Sequence, residues 1–263
     1  MNKAKELKSL LMNAQEFAWL AGKLTLKYFQ TELKTQIKPD ETPVTEADFE
    51  TEKLLRHLIE KKYPNHGVIG EEWGVIHSNS PFKWIIDPID GTVSFARGIP
   101  LYGVLIALTY EDEPLLGVVN LPALNEMIAA GKGLGCTLNG RRCFVSQQKE
   151  LSKSTLFTDL TYCENSKQSY PKAYTLGDKV DSHRNWGNCF GYTSIATGRA
   201  EVAVSMEMKP WDNGPMISIL EEAGGVFTSW TNERTLFAEN VVASNGFLHE
   251  EALSYLQSID NEV

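Results

Sequence analysis

The sequence has few basic residues, and they are not clustered. Its 263 residues include 25 Lys and Arg against 34 Asp and Glu, which gives a formal net charge of -9. No run of Lys and Arg is longer than a pair, whereas a nucleic-acid-binding surface normally needs a basic cluster. We therefore expect no nucleic-acid partner. Any phosphorylated ligand would have to be neutralised mainly by bound cations and by backbone N–H groups.

Long apolar runs and paired cysteines are also missing. No hydrophobic run approaches the roughly 20 residues that a membrane-spanning helix requires, and the first residues lack the apolar core of a signal peptide. We expect a cytoplasmic protein without a membrane partner. The four cysteines contain no C-x-x-C pair, which argues against a zinc site or a thioredoxin-like motif. They are Cys136, Cys143, Cys163 and Cys189.

The hydrophobic pattern predicts an α+β protein. Apolar residues recur at helical spacing from Leu7 to Leu24, which predicts a long N-terminal helix. A second helix is expected after Thr45, because Thr45 and Asp48 have the spacing of a capping box. Strand patterns at residues 104–110, 115–120 and 125–130 are joined by short turns, and Asn139-Gly140 is a hairpin signal. These strands predict an antiparallel sheet flanked by the two helices.

A change of pattern follows the polar residues 146–150. Beyond them, short strands alternate with helices, and no internal repeat is visible. We therefore predict a domain boundary there. Residues 1–150 would form an α+β domain with the antiparallel sheet, and residues 151–263 an α/β domain.

The stretch W-I-I-D-P-I-D-G-T at residues 84–92 is the first candidate for chemistry. Asp87 follows an apolar strand, and Pro88 has no N–H to continue the ladder, so we expect the strand to end there. Asp90 comes next, and Gly91 and Thr92 begin a segment whose free backbone N–H groups can face an anion. Two carboxylates beside such a segment indicate a divalent cation that carries a phosphate.

Acidic residues elsewhere can complete such a site. Mg²⁺ prefers oxygen ligands, and two ions about 4 Å apart can activate a water and stabilise a leaving oxygen. The candidate ligands are Glu71, Asp87, the backbone carbonyl of Ile89, Asp90 and Asp212.

Each acid also has a purely structural interpretation. A D-x-x-D sequence is often a turn, Glu71-Glu72 fits an exposed strand end, Asp212 fits a helix cap, and Asp48 fits a capping box. Spacing alone does not choose between the two interpretations.

Three motifs occur in the order and at the distances found in a known family. They are E-E at Glu71-Glu72, the stretch at residues 84–92, and W-D at Trp211-Asp212 followed by a helix and E-A-G-G. With V-T-E-A-D at residues 44–48 and V-V-A-S-N at residues 241–245, the chain resembles the inositol monophosphatase family. The resemblance implies a layered α-β-α-β-α sandwich of two domains. It also implies Mg²⁺-dependent, Li⁺-sensitive hydrolysis of a small phosphorylated metabolite, and a homodimer.

The resemblance assigns a role to each motif residue. It implies that Glu71, Asp87 and the Ile89 carbonyl hold a first Mg²⁺ ion, and that Asp87, Asp90 and Asp212 hold a second; two or three ions are expected in all. Most of these ligands lie in the predicted first domain, and Asp212 lies in the second. Gly91 and Thr92 would bind the phosphate. Thr92, with Asp48 as its partner, would position the attacking water close to Glu71, and no covalent intermediate would form.

Within the family, several stretches resemble the histidinol-phosphatase branch. They are residues 38–48, 95–100, 117–124 and 185–192. The implied substrate is histidinol phosphate and the implied pathway is histidine biosynthesis; myo-inositol 1-phosphate or a related polyol phosphate is the alternative. A non-enzymatic regulator on the same fold is a third reading, which loss of the metal acids would favour, and none of them is lost.

Three positions depart from the pattern of that branch. Asn188 stands where the branch usually has an acid, Ser205 stands where an acid often helps to bind substrate, and Ser94 replaces an Asn. Glu207 lies two residues beyond Ser205 and is either a compensating acid or an exposed charge. We therefore assign substrate specificity to Asn188, Ser205 and Glu207.

Overall fold

The computed structural model describes residues 3–32, 35–37, 43–159 and 170–257. Cys163 lies outside these ranges, as does much of the segment at residues 38–48 that resembles the histidinol-phosphatase branch. The α-helices of the described part are α1 (Lys3–Tyr28), α2 (Glu46–Lys62), α3 (Thr92–Ala96), α4 (Tyr170–Gly177), α5 (Asn188–Ala196), α6 (Pro210–Ala223) and α7 (His249–Gln257). None of these helices is both long enough and apolar enough to cross a membrane.

The first ten strands form one two-stranded sheet and one large sheet of eight strands. A two-stranded sheet contains β1 (Thr35–Ile37) and β2 (Pro43–Thr45). The large sheet contains β3 (Gly67–Gly70), β4 (Gly74–Ile76), β5 (Phe82–Asp90), β6 (Gly103–Tyr110), β7 (Glu113–Leu121), β8 (Glu126–Gly131), β9 (Gly135–Leu138) and β10 (Arg141–Arg142). Its strand order is β10-β9-β8-β7-β6-β5-β3-β4.

The predicted antiparallel sheet is present with one difference. The hairpin signal is confirmed, because Asn139 and Gly140 join β9 to β10 with positive φ angles of 48° and 77°. Strand β3, however, pairs with β5 in parallel, so the sheet is mixed. The parallel pairing arises because β4 intervenes in sequence between β3 and β5 and then occupies the outer edge. It puts the C-terminal ends of β3 and β5 at the same edge of the sheet.

A second, mixed sheet lies in the C-terminal half of the chain. Its strands are β11 (Thr155–Asp159), β12 (Ser182–Arg184), β13 (Val202–Ser205), β14 (Val226–Ser229) and β15 (Val241–Ser244). The order is β12-β11-β13-β15-β14, with β11 parallel to both of its neighbours.

Three buried cores separate the elements into five layers. Helices α1 and α2 cover one face of the large sheet through residues such as Phe17, Leu55 and Trp84. Helices α5 and α6 fill the space between the two sheets, and α4 and α7 cover the outer face of the second sheet. This arrangement confirms the predicted α-β-α-β-α sandwich. Since α6 packs between both sheets, the division into residues 1–150 and 151–263 stays a prediction.

Candidate active site

The cluster of acids begins with an irregularity in β5. The strand does not end at Asp87, as expected from Pro88, but resumes pairing at Asp90. Asp87 is opposite Leu105 and Asp90 is opposite Gly103, so three steps along β5 match two along β6. Side chains three residues apart normally point to opposite faces of a sheet, and one extra residue brings them to the same side. The proline therefore helps to aim Asp87 and Asp90 at one site.

Asp212 reaches the same site from the other half of the chain. Helix α6 begins at Pro210 and so includes Trp211 and Asp212, because proline is well suited to the first helical position. The Asp212 carboxylate accepts the backbone N–H of Lys209 at 2.7 Å and so does cap the helix. It also lies with Asp87 and Asp90 in a group whose oxygen atoms are all within 4.8 Å of one another. The capping and metal-binding interpretations of Asp212 are therefore compatible.

The electrostatics of this triad fit a hard divalent cation. Burial raises the pKa of Asp87 and of Asp212 well above the ordinary value, and the neighbouring carboxylates raise them further. Burial also raises the pKa of Asp90, against the effect of hydrogen bonds from Cys189 and Gly91. Cations are the groups that stabilise several carboxylates held this close together, and an all-oxygen donor set suits Mg²⁺-like ions. The triad can hold a metal ion.

Glu71 lies in the turn after β3, next to this group. The charge of Glu71 raises the pKa of each of four acids, which are Asp48, Asp87, Asp90 and Asp212. Glu71 therefore lies beside the triad, although the triad itself does not include it. The turn exists where it does because β3 ends beside β5 in the parallel pair.

Glu52, which the sequence reasoning missed, holds this turn in place. Its side chain is fully buried in α2 and accepts the backbone N–H groups of Glu72 at 2.7 Å and Trp73 at 3.1 Å. Arg56 neutralises the charge through its Nε at 2.8 Å. A Cβ at Gly70 would come within 2.2 Å of the Glu52 carboxylate, so the close approach needs glycine. The E-x-x-x-R spacing on a helix was the available signal.

Replacing Glu52 by Gln should weaken metal binding. An amide cannot accept hydrogen bonds at both of its ends, so either the turn or Arg56 loses its partner. Loss of such an outer contact typically costs about 10–100-fold in metal affinity. Calorimetric titration with Mg²⁺ measures this change. Glu50→Gln is the matched control, because Glu50 is half-exposed on the same helix and pairs with Lys53 at 3.5 Å. Equal affinities in the parent and Glu52→Gln would contradict the role.

Thr92 and Asp48 meet as the sequence predicts. The Thr92 hydroxyl lies 3.3 Å from Asp48 Oδ1 and 3.1 Å from the Ile89 carbonyl oxygen. Asp48 is fully buried and also accepts the N–H and the hydroxyl of Thr45, so it caps α2 as well. Burial raises the pKa of Asp48 to about 6. Gly91 precedes α3 with a φ of 84°, and a Cβ there would meet the Leu101 carbonyl at 2.9 Å.

A pocket of about 170 Å³ opens beside the acids. Its wall includes two members of the triad, Asp90 and Asp212, together with the predicted specificity residues Asn188 and Glu207. Ser205 is buried on β13 and is not part of the wall. Asp159, which the sequence reasoning did not single out, is part of it. A lone acid at the end of a short strand gives no motif from which to find it.

Helix α5 begins at this pocket and contacts the triad directly. The backbone N–H of Cys189 donates to Asp90 Oδ2 at 2.6 Å. The preceding Asn188 donates through Nδ2 to Asp159 Oδ2, also at 2.6 Å. Two consecutive residues therefore connect Asp90 of the triad to Asp159 in the pocket wall.

Comparisons with known proteins agree with this arrangement. A sequence model described as the inositol monophosphatase family matches residues 6–261. A histidinol-phosphatase from Chlorobaculum parvum is 44% identical over 240 residues, covering 89% of this chain and 92% of that protein. An inositol-1-monophosphatase from Synechocystis is 34% identical, covering 79% and 74%. The crystal structure of the extragenic suppressor protein suhB from Bartonella henselae superposes with a TM-score of 0.91 at 26% identity, covering 95% and 99%.

Proposed function

The chain belongs to the inositol monophosphatase family and is a phosphatase of that family, and from this premise we propose that it hydrolyses histidinol phosphate to histidinol with Mg²⁺. The observation that carries the proposal is the triad of Asp87, Asp90 and Asp212 beside a pocket of about 170 Å³. The product would serve histidine biosynthesis.

Separate groups of residues would bind the metal ions, position the water and bind the phosphate. Glu71, Asp87, the Ile89 carbonyl, Asp90 and Asp212 would hold the Mg²⁺ ions. When bound, those ions supply positive charge for the phosphate and lower the pKa of water. The backbone N–H groups of Gly91 and Thr92 would bind the phosphate oxygens. The Thr92 hydroxyl, held between Asp48 and the Ile89 carbonyl, would orient the attacking water. Glu71 or Asp48 would accept the proton of that water. Li⁺ would inhibit by competing for the same oxygen ligands.

Two observations favour histidinol phosphate over inositol 1-phosphate. The histidinol-phosphatase relative is more similar to this chain, at 44% identity, than the inositol relative, at 34%. The pocket wall also combines acids with Met206, Met208, Met216, Leu105 and Tyr192. Thioether and aromatic groups suit an imidazole ring, whereas a polyol would present hydroxyl groups to them without partners. The homodimer implied by the family resemblance stays a prediction.

A substrate panel at saturating Mg²⁺ tests the assignment. Phosphate release is measured from histidinol phosphate, myo-inositol 1-phosphate and fructose 1,6-bisphosphate. We expect kcat/KM for histidinol phosphate to exceed the others by about tenfold or more, as pocket discrimination of this kind allows. A preference for inositol 1-phosphate would contradict the assignment of histidinol phosphate as the substrate, but not the phosphatase activity. Failure to release phosphate from any ester would favour a non-enzymatic role.

A further inference from the structure

We propose that Asp159 is the residue that binds the cationic amine of the substrate. It would replace the acids that the histidinol-phosphatase branch carries at the positions of Asn188 and Ser205. The inference rests on the proposed function and adds to it a specificity-determining residue that no motif marks.

Asp159 is adjacent to both Asn188 and Ser205, the two positions where the branch carries an acid. It is the last residue of β11 and pairs in register with Ser205 on the parallel strand β13. From the other side, Asn188 Nδ2 donates to Asp159 Oδ2 at 2.6 Å. One carboxylate thus stands next to the two places where an acid was expected and is not found. Asp159 therefore supplies a carboxylate beside both positions.

The hydrogen bonds from Asn188 leave Asp159 able to bind a ligand. An ionised carboxylate offers about four lone-pair sites, and the side-chain amide and backbone N–H of Asn188 occupy two of them. The same bonds fix the orientation of the side chain, which reduces the entropy lost when a ligand binds. Asn188 at this position therefore supports Asp159 as an acceptor, whereas an acid at position 188 would repel it.

The charges around the pocket call for a cation at this place. Its wall contains the acids Asp90, Asp159, Glu207 and Asp212 and none of the described Lys, Arg or His residues. Asp90 and Asp212 belong to the triad that suits a metal ion. Burial, with the charge of Asp90, raises the pKa of Asp159 to about 6, so its ionised form is short of compensating charge. An ammonium group supplies that charge as a charge-assisted hydrogen bond.

The amine and the phosphate ester are close together in the substrate, and the protein groups proposed to bind them are also close together. In histidinol phosphate the amine sits on the carbon next to the one that carries the phosphate ester. In the protein, Cys189 contacts the triad member Asp90 while the adjacent Asn188 contacts Asp159. The phosphate and the amine can therefore be bound by neighbouring parts of one pocket, with the imidazole against the methionines.

The test compares two esters that differ only in the amine. Histidinol phosphate is compared with 3-(imidazol-4-yl)propyl phosphate, which lacks the amino group, for the parent protein and Asp159→Asn with Mg²⁺. We expect Asp159→Asn to lower kcat/KM for histidinol phosphate about tenfold to a hundredfold, the range for a hydrogen bond to a charged group, through KM. Its kcat/KM for the deamino ester should stay unchanged. Calorimetry should show a matching loss of affinity for histidinol itself.

Two further variants separate recognition from a structural effect. The double variant Asp159→Asn/Asn188→Asp exchanges the two residues, so that the carboxylate stands at position 188 and the amide that donates to it stands at position 159. This exchange should restore the preference for the amine. Glu207→Gln tests the competing assignment of the amine to Glu207, the predicted specificity acid that also lies in the pocket wall, and under this proposal it should keep the preference for the amine.

The outcomes that overturn the proposal are distinct from those that overturn the function. An equal loss on both esters, no rescue by the exchange, or transfer of the amine dependence to Glu207 would each remove Asp159 from this role and leave the phosphatase intact. No phosphate release from either ester by the parent protein would overturn both.

Discussion

Replacing Asp90 by Asn is expected to lower Mg²⁺-dependent phosphate release by about 10³-fold, at the upper end of what one lost charge-stabilising group costs in other enzymes. The substitution keeps the shape of the side chain, and the amide oxygen can still accept the N–H of Cys189. What it removes is one negative charge from a triad whose oxygen atoms lie within 4.8 Å of one another. Metal affinity and activity should therefore fall together.

The stability of Asp90→Asn should change in the opposite direction. Without metal, Asp90 is a half-buried acid close to Asp87, Asp212 and Glu71, and these charges repel one another. The metal-free variant should melt no lower than the metal-free parent, and Mg²⁺ should raise its melting temperature less. Asp181→Asn is the matched control, since that acid is exposed and belongs neither to the triad nor to the pocket wall. Full activity in Asp90→Asn would remove it from the metal site.

Gly117→Ala is expected to have the largest effect on stability. A Cβ at this position of β7 would lie 2.2 Å from the carbonyl oxygen of Pro215 and 2.7 Å from its Cα, so α6 would have to leave the sheet. The neighbouring atoms are backbone and cannot move away as a side chain does. We expect a loss of about 3 kcal/mol in the free energy of unfolding, the upper part of the usual range for overpacking. For a chain of this size that lowers the melting temperature by roughly 6–12 °C.

Gly117→Ala should also reduce activity below its melting temperature. Helix α6 carries Asp212, so displacing the helix pulls that carboxylate away from Asp87 and Asp90. Gly67→Ala, in the same sheet, is the control, because its nearest neighbours would be at 3.4 Å. A Gly117→Ala variant that melts with the parent and keeps full activity would show that α6 does not depend on this close contact.

Local signals in the sequence were enough to predict several elements, whereas the layered fold and the grouping of the triad acids came from family resemblance. Helix periodicity from Leu7 onward, the capping pair at Thr45 and Asp48, and the turn at Asn139 each depend on neighbouring residues. The identity of Asp87, Asp90 and Asp212 as one group came from family resemblance, because 122 residues separate Asp90 from Asp212 in the sequence numbering. Proximity across such a distance is a property of packing.

The features that were not predicted depend on tertiary contacts. The parallel pairing of β3 with β5 requires knowing that β4 takes the edge position. The bulge between Asp87 and Asp90 depends on β6, which continues the ladder beyond the proline. Glu52 and Asp159 act on residues that are remote in sequence, through the turn after β3 and through the start of α5. A single sequence contains no local pattern for either contact.

We infer that acids from both halves of the chain form a metal-dependent phosphatase site. The dependence of phosphate release on added metal tests this inference directly. The protein is stripped of divalent ions with EDTA, dialysed, and assayed on histidinol phosphate while Mg²⁺ is added back. We expect no release without Mg²⁺, a saturable rise as Mg²⁺ is added, and inhibition by Li⁺. Release at the full rate from the stripped protein, or no release at any Mg²⁺ concentration, would contradict it.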